Sequence, residues 1–324
     1  MKLTFEEIKS LAFGVAEATI KEGGIEFYRF STSHFLSVDA LKSDYGVRAK
    51  AQASIRLDFE TDSEYFSFTY DNVQKTSSRS WYYFSLLVDG KPTALIGEDN
   101  ATACRGSYQT VLPKGNKRIT LFFPNLYRAR IQEIELSDGS YIKRMETKKR
   151  FVFYGDSITH GYDAKSAGNS YVNRIAYAMN AEVFNLGIGG ALFHSTMIDD
   201  TRDYKADAVF VAYGTNDWCH RPNMETLSMH CEDFFKKLVS VFKNIPIYVI
   251  LPIWRSNYQD VKQTGTFQEV KDKIIQIVKK YENTQIIDLF DDIPHELSMF
   301  TDGLHPNDDG FAYYAQGVLQ KIKA

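Results

Sequence analysis

Four short segments of the chain carry the residue types of nucleophilic acyl chemistry. A serine stands in Gly155-Asp156-Ser157-Ile158-Thr159, and a histidine follows an aspartate by three residues in Asp302-Gly303-Leu304-His305-Pro306. A glycine-rich stretch, Asn185-Leu186-Gly187-Ile188-Gly189-Gly190, and the block Gly214-Thr215-Asn216-Asp217 complete the set. A serine hydroxyl is a weak nucleophile until a base takes its proton. Imidazole suits that task because it titrates near neutrality. The base in turn needs an acceptor that fixes its tautomer and stabilises the imidazolium, and Asp302 is placed to provide it for His305. The oxyanion of a tetrahedral intermediate needs donors aimed at it. The backbone N–H groups of Ser157 and Gly190 can supply two, and the side-chain amide of Asn216 a third. Removing one such donor typically costs about a hundred- to a thousand-fold in rate. Asp156 and Asp217 read as structural residues that hold the loops.

These segments need a scaffold that brings them together. From Phe151 onward, short apolar runs alternate with helical patterns. Phe151–Tyr154, Val183–Leu186, Ala208–Ala212, Ile247–Leu251 and Ile286–Leu289 read as five buried strands. Between them Leu227, Cys231, Phe234 and Leu238 share a helix face, as do Val270, Ile274, Ile277 and Tyr281. A last helix carries Phe311, Ala315, Val318 and Ile322. Strand–helix alternation predicts a doubly wound parallel sheet. Such sheets bind ligands beyond the carboxyl ends of their strands. All four segments lie there.

The N-terminal half follows another pattern. Thr4 and Glu7 have capping-box spacing, which predicts a helix from Thr4 to about Gly23-Gly24. Ala51, Ala53, Ile55, Leu57 and Phe59 then alternate with polar residues, the pattern of a half-buried strand. Further strands are expected near Tyr65–Tyr70, Trp81–Val88, Tyr108–Leu112, Lys117–Phe123 and Ile131–Leu136, with turns at Asp89-Gly90 and Asp138-Gly139. This spacing predicts a β-sandwich. The charged stretch Lys143–Arg150 separates the halves, giving domains 1–145 and 146–324.

The four blocks, in this order, resemble the GDSL/SGNH hydrolase family over residues 151–324. GDSIT is similar to its first block, NLGIGG to its second, GTND to its third and DGLHP to its last. The resemblance implies a flavodoxin-like sheet and hydrolysis of esters or thioesters, with Ser157, Gly190, Asn216 and His305 as the defining four residues. Gly189 stands where many members have serine, which leaves the backbone donor in place. A sandwich before such a domain resembles, in architecture, two-domain acetyl esterases acting on sugars, including the second carbohydrate-esterase family. Members of that family often lack the acid before the histidine, whereas Asp302 is kept here. On this reading Trp218, Trp254 and Arg255 are candidate substrate-binding residues: the indoles could face sugar rings, or simply wall a pocket. The sandwich could be a lid or an oligomer interface. The alternatives are a lipid or acyl-thioester hydrolase of the same family and a non-catalytic glycan-binding protein.

Composition narrows the partners. A net charge of -3 excludes a strongly basic, nucleic-acid-coating surface and gives no reason to expect an anionic membrane. No stretch has the length and apolarity of a membrane span. The expected partner is a small-molecule or oligosaccharide ester. The catalytic set is complete without a metal or organic cofactor, so none is expected. Cys219-His220 and His230-Cys231 suggest a zinc cluster, but Cys231 falls on the apolar face of its helix, where a free cysteine is an ordinary core residue. Three cysteines (Cys104, Cys219, Cys231) form no disulfide framework and suggest a reducing compartment. Met1–Lys9 carries Glu6, Glu7 and Lys9 and does not read as a signal peptide. A cytoplasmic location is expected.

Overall fold

The apolar runs of the C-terminal half assemble into one parallel sheet. The computed structural model describes residues 1–101 and 105–322, so Cys104 lies outside the described residues. The strands are β1 (Lys149–Gly155), β2 (Ala181–Asn185), β3 (Ala208–Ala212), β4 (Ile247–Ile250) and β5 (Thr284–Ile287). Their order is β2-β1-β3-β4-β5, with parallel neighbours throughout. This is the flavodoxin-like order, in which the chain reverses direction across the sheet beside β1.

Both faces of the sheet are covered, which explains why its strands read as continuous apolar runs rather than alternating ones. Val152 and Tyr154 of β1 join one core with Leu227, Cys231, Phe234 and Leu238 of α2 (Met224–Val241) and Val270, Ile274 and Ile277 of α3 (Phe267–Val278). Phe151 and Phe153 face the other core. There they meet Tyr171, Val172 and Ile175 of α1 (Tyr171–Ala178) and Phe311, Ala315 and Val318 of α4 (Asp308–Lys321). Phe153 stacks on Phe210 of β3 at 4.4 Å between ring centres.

Among the described residues, the N-terminal half forms a six-stranded and a five-stranded antiparallel sheet. Phe59, Phe84, Ile119 and Leu121 from the first and Phe27, Phe68, Ala129 and Ile131 from the second enclose a third core. The predicted sandwich is therefore present. Its detail departs from the sequence reading in three places. The first helix keeps its Thr4 capping box but ends at Ser10. Gly23 serves a hairpin instead: Glu22 and Gly23 both adopt positive φ (51° and 74°) between the strands Glu17–Lys21 and Gly24–Tyr28. That is the backbone a two-residue turn between right-twisted strands requires. The alternating stretch at Ala51 becomes a strand only at Arg56–Thr61, because Ala51–Ile55 is a fully buried turn with Ser54 at φ 64°. Two helices, Thr32–Leu41 and Ser43–Ala49, and the strand Lys91–Glu98 were not anticipated. The first of these helices buries only His34 and Val38, so it offers no apolar stripe to read. No helix among the described residues is long and apolar enough to cross a membrane.

Candidate active site

Ser157 stands at the carboxyl end of β1, where the strand turns at once into the short helix Ser157–His160. Asp156 caps that helix by accepting the Ile158 N–H at 2.9 Å. Gly155 permits the tight turn, since a Cβ there would stand 2.0 Å from Thr159 Oγ1. His305 arrives from the loop before α4 and places Nε2 2.8 Å from Ser157 Oγ. Its Nδ1 lies 2.8 Å from Asp302 Oδ2 and 3.1 Å from Oδ1. The acid–base pair is built locally, because Asp302 Oδ1 also accepts the backbone N–H groups of Leu304 (3.2 Å) and His305 (2.9 Å). With Nδ1–H donating to the carboxylate, the Nε2 lone pair faces the hydroxyl. This is the tautomer a general base needs. Burial alone would raise the Asp302 carboxyl, but hydrogen bonds from the His305 ring and backbone and from Arg79 outweigh it and hold the group well below the usual carboxylate range.

The glycine-rich loop after β2 is fixed by groups that leave one donor over. Gly189 N–H donates to His160 Nδ1 (3.2 Å), and His160 Nε2–H donates to Asn125 O (2.9 Å). This requires a neutral imidazole, and burial, aided by the positive Arg29, holds His160 well below its ordinary pKa. Arg29 donates to the carbonyls of Asn185 (2.6 Å) and Gly187 (3.0 Å), Arg48 to Gly189 O (2.6 Å) and Tyr45 Oη to Gly190 O (3.0 Å). Among the described residues no acceptor takes the Gly190 N–H. Gly190 has φ +73°, and a Cβ at Gly189 would stand 2.7 Å from Tyr162 Oη, so a serine there would require the Tyr162 ring to shift.

Asn216 and Asp217 lock the third block onto this loop. Asn216 Nδ2 donates to Ala191 O at 3.2 Å, which spends one amide hydrogen and leaves the second. Both Asp217 oxygens accept the Phe193 N–H at 3.2 Å, and Arg221 Nε donates to Oδ1 at 3.0 Å. Burial pushes the Asp217 carboxyl up to about 6 against the pull of Arg221. Burial pushes Asp156 up to about 7, opposed chiefly by the Ile158 N–H. Both acids thus serve loop geometry, as the sequence suggested.

The three candidate substrate-binding residues land differently. Trp218 is fully buried, with its indole N–H on Gly265 O (3.0 Å) and its ring edge-on to Phe267, so no face is left for a sugar. Trp254 is buried against His295 and Phe300. Arg255 lies over the Trp218 ring and donates to Thr215 Oγ1 (3.1 Å) and Asn257 Oδ1 (2.8 Å). These placements give the aromatics a packing role and Arg255 a bracing one. Cys219 and Cys231 are free thiols. Cys219 Sγ accepts from Arg255, and Cys231 sits in the apolar core. Among the described residues the Cys/His pairs do not gather their side chains into one group. The acid–imidazole group that does gather is Asp163, Asp302 and His305, and Arg79 donates to both of its carboxylates.

Arg79, Tyr162, Asp163, Tyr45 and Arg48 were missed by sequence reasoning. Tyr162 and Asp163 lie within six residues of Ser157, and proximity was the available signal. Arg79, Tyr45 and Arg48 come from the N-terminal half, where nothing in the local sequence marks them.

Fold and site define an acyl ester hydrolase on a flavodoxin-like α/β sheet. The family follows: residues 153–313 match the sequence model of the GDSL-like Lipase/Acylhydrolase family, and the α/β half of the chain belongs to it. Solved structures share the whole architecture. A protein described as a GDSL-like lipase from Bacteroides ovatus is 21% identical with a TM-score of 0.78, covering 100% of this chain and 98% of its own. The salicylyl-acyltransferase SsfX3 from a tetracycline biosynthetic pathway is 16% identical with a TM-score of 0.78, over 96% of this chain and 93% of its own. The acetyl xylan esterase Est2A from Butyrivibrio proteoclasticus is 13% identical with a TM-score of 0.66, over 99% of this chain and 96% of its own. At these identities the likeness is one of fold. No curated protein sequence matches the chain.

Proposed function

We propose that the protein is a serine esterase that removes a short acyl group, acetyl first, from a polar alcohol such as a carbohydrate. Ser157 attacks the ester carbonyl, His305 takes its proton and returns it to the leaving alcohol, and Asp302 steadies the imidazolium. The Gly190 N–H, the Ser157 N–H and the free Asn216 amide hydrogen receive the oxyanion. The observation that carries this reading is the unbroken chain from Ser157 Oγ through His305 to Asp302, with both links at 2.8 Å.

The alcohol side rests on a cleft of about 360 Å³ beside Asp163, lined in part by Trp81, Asp99, Lys165, Thr301 and Asn307. A half-buried indole among hydrogen-bonding groups suits a sugar ring, and the acetyl xylan esterase with the same fold supports it. The free thiols fit a reducing compartment, and the cytoplasm remains the proposed location. A p-nitrophenyl ester series from acetyl to octanoyl, run beside an acetylated sugar, tests the reading. We expect kcat/KM to fall from acetyl onward and acetate to be released from the sugar. An enzyme built for long chains would gain about 0.8 kcal/mol of binding per methylene, so a steep rise would sink the deacetylase reading and favour a lipase or thioesterase. The acyltransferase of the same fold favours a second reading, in which an alcohol replaces water in attacking the acyl-serine. Faster p-nitrophenol release without matching acetate release, on adding a polyol, would mark it.

A further inference from the structure

The sandwich reaches into the acid–base pair through one residue. Arg79 lies between the strands Tyr65–Lys75 and Tyr82–Val88. It grips Asp163 with two nitrogens, Nε on Oδ1 at 2.7 Å and Nη2 on Oδ2, and the same Nη2 donates to Asp302 Oδ2 at 3.0 Å. Its guanidinium also lies 5.7 Å over the Tyr162 ring, which stacks on His305 with 5.5 Å between ring centres. Asp163 is buried, and its Oδ2 stands 3.8 Å from His305 Nδ1. The imidazole therefore faces two carboxylates, with one cation clamped across both.

The other groups around His305 do not balance the second acid. Asp302 comes from its own loop, Tyr162 and Asp163 from the segment after Ser157, and Ser157 from the end of β1. Asp156 is buried behind Ser157. Arg79 is the cation in direct contact with the pair. Without it, two carboxylates within about 4 Å of one imidazole would strongly favour the imidazolium, and a protonated His305 cannot accept the serine proton.

Given the Ser157–His305–Asp302 esterase reading, on which this rests, we propose that Arg79 is a positioning residue. It adds a side-chain hydrogen bond to the backbone ones that seat Asp302 on His305 Nδ1, and it offsets the Asp163 charge, so that the Nε2 lone pair stays available to the Ser157 hydroxyl. The proton that leaves Ser157 Oγ goes to Nε2, while the Nδ1 proton stays on the ring, shared with Asp302. The forked guanidinium is needed because one planar group must serve two carboxylates at fixed angles.

The test is the pH profile of kcat/KM with p-nitrophenyl acetate, with folding checked by circular dichroism. In Arg79→Met the midpoint of the acid limb should rise by about one pH unit, with about a tenfold loss on the limb. In Arg79→Met/Asp163→Asn the limb should return close to its wild-type position, because the amide that replaces the Asp163 carboxylate carries no charge. The plateau should stay lowered because Asp302 still lacks the Arg79 hydrogen bond and is held by its local bonds alone. Asp163→Asn alone, with Arg79 in place, should move the limb to lower pH, and this comparison stands even if Arg79→Met does not fold. Arg79→Lys should keep the limb in place and lower the plateau. An acid limb that stays put in Arg79→Met and in Asp163→Asn would overturn the proposal, since a merely structural arginine would change only the plateau. Full turnover by Ser157→Ala would instead overturn the esterase reading beneath it.

Discussion

Asp156 carries a stability cost that can be removed with one atom. It is 2% exposed, and its carboxylate caps the helix that begins at Ser157 by accepting the Ile158 N–H. Burial moves its pKa from the ordinary 3.8 up to about 7. Between those two values the folded protein holds a proton that the unfolded chain has already released. The folded state then binds more protons, so stability falls as pH rises through this window. A gap of about three pKa units, at 1.36 kcal/mol each, amounts to about 4 kcal/mol. Asparagine keeps an oxygen for the cap and cannot ionise. Asp156→Asn should therefore match the wild type near pH 4 and exceed it in stability at pH 8 by up to about 4 kcal/mol. Asp217, pushed up to about 6, tilts both proteins the same way, and its charge is one of the smaller causes that raise Asp156. Urea unfolding of both proteins at pH 4.5, 6 and 8 measures it. A stability difference that does not change with pH would refute the reasoning.

Gly190→Ala forces an alanine to φ +73° with its Cβ 2.8 Å from an Arg48 nitrogen. The displaced N–H should cost about a hundred- to a thousand-fold in kcat, and a near-wild-type kcat would remove Gly190 from the oxyanion site. Asp302→Ala should lose less kcat than His305→Ala, because Asp163 Oδ2 stands 3.8 Å from Nδ1 and can accept in its place. Equal losses would contradict that ranking. Turnover should survive exhaustive chelation. Loss with EDTA that zinc restores would revive a metal role for Cys219, His220, His230 and Cys231.

What could be read in advance followed from how local each signal is. Four buried strands and most of the faces of α2, α3 and α4 were legible because continuous apolar runs and helical spacing record burial directly. The fifth strand, at the sheet edge, is only half-buried and starts two residues earlier than read, and Tyr281 and Ile322 lie just past the ends of α3 and α4. The Asp302–His305 pair was legible because it too is local: its geometry is made within four residues. The helix Thr32–Leu41 was not, since two buried positions in ten residues leave no stripe. The Ala51–Ile55 turn was misread because a buried turn can alternate small apolar and polar residues as a strand does. Trp218 and Trp254 follow the carboxyl ends of their strands, but position along a chain does not tell which way an indole faces, and both are buried in packing. Arg79 was invisible because its partners lie 84 and 223 residues away.

That last distance bears on what the sandwich is for. A lid would touch the substrate and leave the catalytic groups intact without it. Here the N-terminal half, besides lining the proposed alcohol cleft with Trp81 and Asp99, supplies hydrogen bonds to groups of the site: Arg29 on Gly187, Arg48 on Gly189, Tyr45 on Gly190 and Arg79 on Asp302. Each of these closes a valence that an α/β sheet alone would leave to water. Orientation within a fraction of an ångström separates a productive oxyanion site from an idle one. Arg29 is the extreme case, a fully buried cation with its hydrogen bonds on backbone carbonyls of both halves, its guanidinium pushed down to about 9 by burial. Burying a charge without a carboxylate partner is expensive, and four carbonyl acceptors are what make it tolerable. On the proposed reading the sandwich braces the site, and the α/β half carries the sequence motifs without all the contacts that hold them.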